Sequence, residues 1–213
     1  MASDVKLLLV GATGLVGRYV LNLALGDPRV STVVAPTRRL LSAHPKLSNP
    51  QIDFDKLPTD ADWWQADAVV CTLGTTMRAA GSKAAFRRVD YDYPMAVARL
   101  AHTKGTPTYA LNSAIGANSE SRFFYNRVKG ELERDLAGVG FDSLTFVRPG
   151  VIGGQREEYR SGERAMVLAL TLMGPLMPRR WRLNPAQRIA QALLEAALNA
   201  NPGVHVVTSE RLT

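Results

Sequence analysis

Val5-Lys6-Leu7-Leu8-Leu9-Val10, running directly into Gly11-Ala12-Thr13-Gly14-Leu15-Val16-Gly17, reads as a strand that turns sharply into a helix. The apolar run is continuous rather than alternating, as a parallel sheet covered on both faces requires. From Leu15 to Leu25 apolar residues recur with helical period. Glycine lets the backbone bend and come close to a ligand, while the first amides of the helix offer unpaired N–H groups and the positive end of the dipole. Such a turn binds phosphate, so a dinucleotide is the first ligand to consider. The spacing is G-x-x-G-x-x-G, not the commoner G-x-G-x-x-G. A glycine-rich turn without a ligand is therefore the alternative against which the rest of the chain is weighed.

Apolar runs and breakers continue the pattern outward. Strands are expected at Val5–Val10, Thr32–Ala35, near Ile52–Phe54, at Ala68–Thr72, Thr108–Leu111, Leu144–Arg148 and Val204–Thr208. Helices fall between them: one ending at Leu25, one between Lys83 and His102, then Arg122–Leu136 and Pro185–Asn199. Strand and helix alternate throughout, which predicts an α/β fold, a doubly wound parallel sheet with right-handed crossovers and helices on both faces. Ligands of such sheets bind at the C-terminal ends of the strands. Those ends carry the glycine turn, Thr37-Arg38-Arg39, Asp53, Leu73-Gly74-Thr75 and Ser113.

The 213 residues suit one domain of this class, residues 1–213, with a small substrate-side segment at 153–182. Lys6 and the apolar run after it resemble a signal peptide only superficially, because Gly11, Gly14, Gly17 and Arg18 interrupt the run. Cys71 is the sole cysteine and falls in an expected buried strand, so a reducing, cytoplasmic compartment is expected. The apolar stretch Ala165 to Leu176 is too short to cross a bilayer, which takes about 20 such residues. The net charge of +7 raises nucleic acid as a partner. No helix-turn-helix, zinc spacing or aromatic-basic platform accompanies the arginines, and Glu157, Glu158 and Glu163 are mixed among them. His44, His102 and His205 have no metal-ligand spacing, and Trp63-Trp64 is expected to pack a helix on the sheet.

An NAD site usually has a carboxylate about 20 residues beyond the glycine turn, on the ribose hydroxyl. Between Asp27 and Asp53 this chain has no acid, and Arg38 and Arg39 follow strand two instead. Two guanidiniums suit the extra 2′-phosphate of NADP(H), with Arg18 able to join them. Tyr125 and Lys129 stand four apart on a helix, hence on one face about 5–6 Å apart at Cβ. The ammonium is expected to lower the phenol's pKa, so that Tyr125 exchanges a proton with a carbonyl or alcohol oxygen. Ser113 is expected to donate a second hydrogen bond to that oxygen.

Together the glycine turn, Ser113, Tyr125-x-x-x-Lys129 and Arg148-Pro149-Gly150 resemble the short-chain dehydrogenase/reductase superfamily. More narrowly, the chain resembles its atypical Tat-interactive-protein group. That likeness rests on Cys71-Thr72-Leu73-Gly74-Thr75-Thr76, Arg88-Val89-Asp90, Phe124-Tyr125, Val128-Lys129-Gly130-Glu131 and Val147-Arg148-Pro149-Gly150-Val151, and covers nearly the whole chain. The resemblance implies a Rossmann-like sheet in the order 3-2-1-4-5-6-7 and an NADP(H) cofactor, and the residues expected to hold its phosphates are Gly11, Thr13, Gly14, Leu15, Val16, Gly17, Arg18, Arg38 and Arg39. It further implies that Asp53 and Phe54 lie at the adenine and that Leu73, Gly74 and Thr75 lie at its ribose. Lys129 and Tyr125 would reach the nicotinamide side, with Pro149, Gly150 and Val151 at the carboxamide. Asp90 stands where many members have asparagine in a proton relay. Gly153 to Arg182 is short for a nucleotide-sugar pocket and forms the expected substrate wall or lid.

The function expected is an NADP(H)-dependent oxidoreductase acting on a small carbonyl or alcohol. The alternatives are an NADPH-binding regulator or scaffold without turnover, and an NADP-dependent isomerase or epimerase. The partner is a small-molecule substrate, with no nucleic acid and no membrane span, and the chain is a monomer or homodimer.

Overall fold

The computed structural model describes residues 4–153 and 183–213. Its first unit is β1 (Val5–Val10), α1 (Leu15–Gly26) and β2 (Val30–Val34), followed by the short β3 (Leu47–Ser48). Then come β4 (Ala68–Cys71), α2 (Met77–Ala80), α3 (Lys83–Arg87), α4 (Tyr93–Thr103), β5 (Thr108–Asn112), α5 (Phe124–Ala137) and β6 (Ser143–Arg148). The pair β7 (Ile152–Gly153) and β8 (Asn184–Pro185) precedes α6 (Ala186–Asn199) and β9 (Gly203–Thr208). Among the described residues the main sheet has seven strands in the order β3-β2-β1-β4-β5-β6-β9. Every pairing in it is parallel. The last strand is the ninth rather than the seventh, because β7 and β8 form a separate two-stranded sheet.

Leu7, Leu8, Leu9 and Val10 are all fully buried, which accounts for the unbroken apolar run. Leu7 and Leu9 face a core made with α1 and α6, through Val20, Ala24, Ile189 and Leu193. Leu8 and Val10 face the opposite core, made with α4 and α5 through Val97, Ala101, Leu132 and Leu136. Trp64 packs into this second core, and its indole N–H donates to the Pro58 carbonyl at 2.7 Å.

Two expectations need correction. The third strand lies at Leu47–Ser48, not near Ile52–Phe54. Beyond Ser48 the regular ladder is interrupted, because Pro50 has no N–H to donate, and pairing resumes only as an isolated parallel bridge between Thr37 and Gln51. Asn49 Nδ2 bonds instead to the Ala35 carbonyl at 2.6 Å and to Thr37 Oγ1 at 2.8 Å. Asp53 then starts a turn, accepting from the Asp55 N–H at 2.9 Å. The long helix expected between Lys83 and His102 is broken by a π-helical turn over Arg88–Asp92. Pro94 lacks the N–H that would bond to the Asp90 carbonyl, and its ring crowds that carbonyl. The chain widens there, and the Tyr93 N–H bonds five residues back to Arg88. That turn buries Asp90, which is 1% exposed.

The stretch Ala165 to Leu176 and the expected lid over 154–182 lie outside the described residues. No helix among the described residues is long and apolar enough to cross a membrane.

The packing of α1 on the sheet edge yields a stability prediction. A Cβ at Gly17 would lie 2.1 Å from the Gly11 carbonyl oxygen, whereas one at Gly26 would meet nothing within 4 Å. Gly17→Ala should destabilise the fold by about 1–3 kcal/mol in denaturant titrations, as overpacking does. Gly26→Ala, at the exposed end of the same helix, should be neutral or stabilise by up to about 1 kcal/mol.

Candidate active site

Gly11 takes a left-handed φ of +93° and lies against β4, where a Cβ would sit 2.7 Å from Thr72 Oγ1 and 2.8 Å from the Leu73 nitrogen. The Thr72 hydroxyl is within 3.1 Å of both the Val10 and the Gly11 carbonyls, pinning the turn to the end of β4. Gly14 caps α1 without a side-chain oxygen, so the orphan amides of its first turn are left for a ligand. Val16 is 5% exposed and belongs to the core, so only its backbone can meet a ligand.

A cavity of about 870 Å³ opens on this turn, lined by Gly11, Thr13, Arg18, Arg38, Arg39, Asp53, Phe54 and Leu73 among others. The Thr37 hydroxyl donates to the Arg39 carbonyl at 2.5 Å, folding the exposed Arg38-Arg39 pair along the cavity wall. Arg18 Nε donates to the Thr13 carbonyl at 3.1 Å. Val89 and Tyr93, from the π turn and the start of α4, complete the side nearest Leu73.

Tyr125 lies in the first turn of α5, 39% exposed, with its ring 5.7 Å from that of Phe86. One turn along, Lys129 is buried, and its Nζ pairs with Asp90 Oδ1 at 2.8 Å. Asp90 Oδ2 accepts the Thr75 N–H at 2.8 Å. Gly74 lies on this pair, since a Cβ there would be 3.3 Å from Asp90 Oδ1 and 3.8 Å from Lys129 Nζ. Burial works against the Lys129 ammonium, but Asp90 and then Tyr125 outweigh it and raise its pKa. Tyr125 departs from expectation: its pKa is raised, by burial first, with Asp90 adding to it and Lys129 only partly offsetting. The ammonium still favours the phenolate, but Asp90 offsets part of its effect and burial exceeds the remainder.

Ser113 is 4% exposed, and its hydroxyl donates to Glu133 Oε1 at 2.5 Å. The expected donor to a substrate oxygen thus has its hydrogen committed to a carboxylate. Arg148 clamps the same carboxylate, with Nη2 at 2.5 Å from Oε2 and Nε at 3.0 Å from Oε1. Burial works against the Arg148 guanidinium, yet its bond to Glu133 is the larger influence and raises its pKa. The loop Pro149-Gly150-Val151 is held from elsewhere. Asn184, fully buried, accepts the Gly150 N–H at 2.7 Å and the Ser209 hydroxyl at 2.9 Å.

The structure therefore brings the glycine turn, Arg18, Arg38, Arg39, Asp53, Phe54 and Leu73 around one cavity. Gly74, Thr75, Tyr125 and Lys129 meet around Asp90, while Ser113 turns toward Glu133. Glu133, Arg148 and Asn184 were missed as site-shaping residues. Glu133 had a signal, lying four residues after Lys129 on the same face of α5; Arg148 had one in ending a strand that is otherwise buried. Asn184 had none.

No protein-family model matches the chain. Among curated proteins, the mitochondrial protein fmp52 of Aspergillus fumigatus is 34% identical over 217 residues, covering 96% of this chain and 92% of the relative. Protein HTATIP2 of Rattus norvegicus is 36% identical over 203 residues, covering 92% of this chain and 82% of the relative. Among solved structures, MoeE5 in complex with UDP-glucose and NAD superposes with a TM-score of 0.72 at 16% identity, covering 95% of this chain and 75% of that one. A short-chain dehydrogenase family protein from Francisella tularensis subsp. tularensis SCHU S4 gives 0.64 at 14% identity, covering 98% and 99%. The cytoplasmic expectation is overturned, because the Fmp52 relatives are named as mitochondrial proteins. A lone buried thiol at Cys71 shows that no internal disulfide forms, and it does not choose between reducing compartments. The chain belongs to the family of Fmp52 and HTATIP2, an atypical group with the fold of short-chain dehydrogenases/reductases.

Proposed function

We propose that the protein is an NADP(H)-dependent oxidoreductase that acts on a small carbonyl or alcohol, with Tyr125 as general acid and base. The observation that carries the reading is Tyr125 standing one helical turn from buried, charged Lys129, beside the loop Gly74-Thr75 that closes on the same ion pair. The residues present fit a dinucleotide. The cavity on the glycine turn is of the size of a cofactor site. At the end of β5, Asn112 Oδ1 is buried without a hydrogen-bond partner, an acceptor that a carboxamide N–H would satisfy.

In this reading the amides at Gly11, Thr13, Gly14, Leu15, Val16 and Gly17 hold the pyrophosphate, and Arg18, Arg38 and Arg39 hold the 2′-phosphate. Asp53 and Phe54 border the adenine, and Leu73, Gly74 and Thr75 its ribose. Lys129 and Tyr125 face the nicotinamide ribose and the substrate, with Pro149, Gly150 and Val151 at the carboxamide. A bound reduced nicotinamide supplies the hydride. Tyr125 gives its proton to the carbonyl oxygen, and solvent restores it. Ser113, with its hydrogen on Glu133, offers only lone pairs. This favours, as a second reading, a cofactor-binding regulator without turnover.

The 2′-phosphate assignment predicts NADPH binding well ahead of NADH. Arg38→Ala and Arg39→Ala should each weaken NADPH by roughly 10- to 100-fold, the scale of a charge-assisted hydrogen bond, and leave NADH unchanged. Fluorescence titration measures this, and equal affinities in the unsubstituted protein would refute it. Tyr125→Phe should lower kcat with small carbonyl substrates by about 100-fold or more while NADPH binding holds. Turnover equal to that of the parent protein would remove Tyr125 from the chemistry. Tight NADPH binding with no turnover on any carbonyl or alcohol would leave the regulator reading.

A further inference from the structure

Asp90 is held more tightly than a solvent-facing acid on a helix has reason to be. The π turn ahead of Pro94 carries it into the protein, where it is 1% exposed and touches two other elements at once. Its Oδ2 accepts the Thr75 N–H from the loop after β4, and its Oδ1 meets Lys129 Nζ from α5, both at 2.8 Å. Gly74 lies alongside, where a Cβ would be 3.3 Å from Oδ1.

We propose that Asp90 is a positioning residue that keeps Tyr125 a protonated phenol: by pairing with Lys129 it takes from a phenolate part of its counter-ion and sets the pH at which the tyrosine changes form. The proposal rests on the reading of Tyr125 as the acid of the site.

The charges around Tyr125 support it. On α5 the charge one turn away is Lys129; from the π turn it is Asp90. α3 presents the ring of Phe86, which is uncharged, and Lys83 and Arg127 sit over Phe124 instead, at 5.5 and 5.8 Å from its centroid. From β4, Cys71 lies beside Lys129 as a neutral thiol, its pKa pushed up by burial. With Asp90 ionised, the phenol, ammonium and carboxylate sum to zero, and loss of the Tyr125 proton would leave a net negative charge beside a buried ion pair. With a neutral residue at 90, tyrosinate and ammonium would sum to zero, and the proton would leave easily. The upward pKa of Tyr125, to which Asp90 contributes, has the same sign.

The consequence falls on the pH dependence. In reduction the carbonyl carbon gains the hydride of the reduced nicotinamide, which is thereby oxidised. The oxygen gains the Tyr125 proton, and the tyrosinate left behind takes a proton from water. A phenol protonated throughout the neutral range is ready for that step, and transfer to an alkoxide is downhill. The reverse step starts from the phenolate, so its rate rises with pH toward the raised pKa of Tyr125.

The test is Asp90→Asn, read in two ways. The absorbance of tyrosinate near 295 nm is titrated in chains with and without Tyr125→Phe, so that the difference reports Tyr125 alone. The pH profiles of reduction and oxidation are measured beside it. The midpoint of Tyr125 should fall by about one pH unit or more in Asp90→Asn, and the limb of each pH profile that reports the tyrosine should move down by the same amount. A midpoint that stays or rises overturns the proposal, whatever happens to the rates. In Asp90→Asn combined with Lys129→Met both charges are gone, so the midpoint should lie within one unit of the parent's. A lower midpoint there would show that charge on Lys129 is not the cause. The absorbance measurement needs no turnover, so absence of any activity would refute the oxidoreductase reading while still deciding the role of Asp90.

Discussion

A glycine pressed against a carbonyl holds this site together. Gly17 approaches the Gly11 oxygen so closely that the smallest side chain would overlap it, and Thr72 joins the same contact from β4. Three segments are thereby fixed by van der Waals contact: the end of β1, the start of α1 and the end of β4. No flexible side chain stands between the helix and the sheet, so the direction of the first amides of α1 is as rigid as the backbone itself. The cavity that carries Arg38 and Arg39 opens on that unit, and so does the loop Leu73-Gly74-Thr75.

Around this rigid corner the chain places its buried polar groups where the strands end. Lys129 with Asp90 joins α5 to the loop after β4. Glu133 with Ser113 and Arg148 joins α5 to the ends of β5 and β6. Asn184 with Ser209 and Gly150 joins the loop after β6 to the C-terminal turn. Burying charge costs desolvation that pairing rarely repays in full, and apolar residues of similar volume would stabilise as well or better. Their common location explains them better than stability does. Each pair joins a segment at the ligand-binding edge of the sheet to another element, and a directional bond fixes orientation in a way that apolar contact does not.

The architecture was legible because its determinants are local. The buried run Leu7 to Val10, the helical period after it and the repeated alternation of strand and helix prescribe the sheet order with little room for choice. The third strand was misplaced because Pro50 and Asn49 interrupt its ladder and leave only an isolated bridge at Gln51, a matter of individual hydrogen bonds that hydrophobic pattern does not reveal. The site was legible to the extent that spacing along one element determines proximity: Tyr125 and Lys129 lie on one α5 face, and Arg38 and Arg39 follow β2. What spacing could not give was the partner from another element. Lysine four residues after tyrosine suggests an acidic phenol. Only the tertiary structure shows that the phenol is desolvated and that Asp90, brought in by a π turn, pairs with that lysine. The hydrogen of Ser113 was misassigned for the same reason, since Glu133 reaches it from a different element.

The two ends of the cleft consequently use charge in opposite ways. Arg38 and Arg39 are exposed, so salt and water screen them, and their effect is to attract and discriminate a phosphate at the mouth of the cavity. Lys129 and Asp90 are buried, little screened and mutually compensated, so they contribute almost nothing to attraction at a distance. Their influence falls on Tyr125, where Asp90 offsets part of the lowering by Lys129 and burial of the phenol sets the sign. An ammonium beside a tyrosine is therefore insufficient evidence of an acidic phenol. The charge that answers the ammonium must be identified first, and in this chain it comes from the turn that Pro94 forces open.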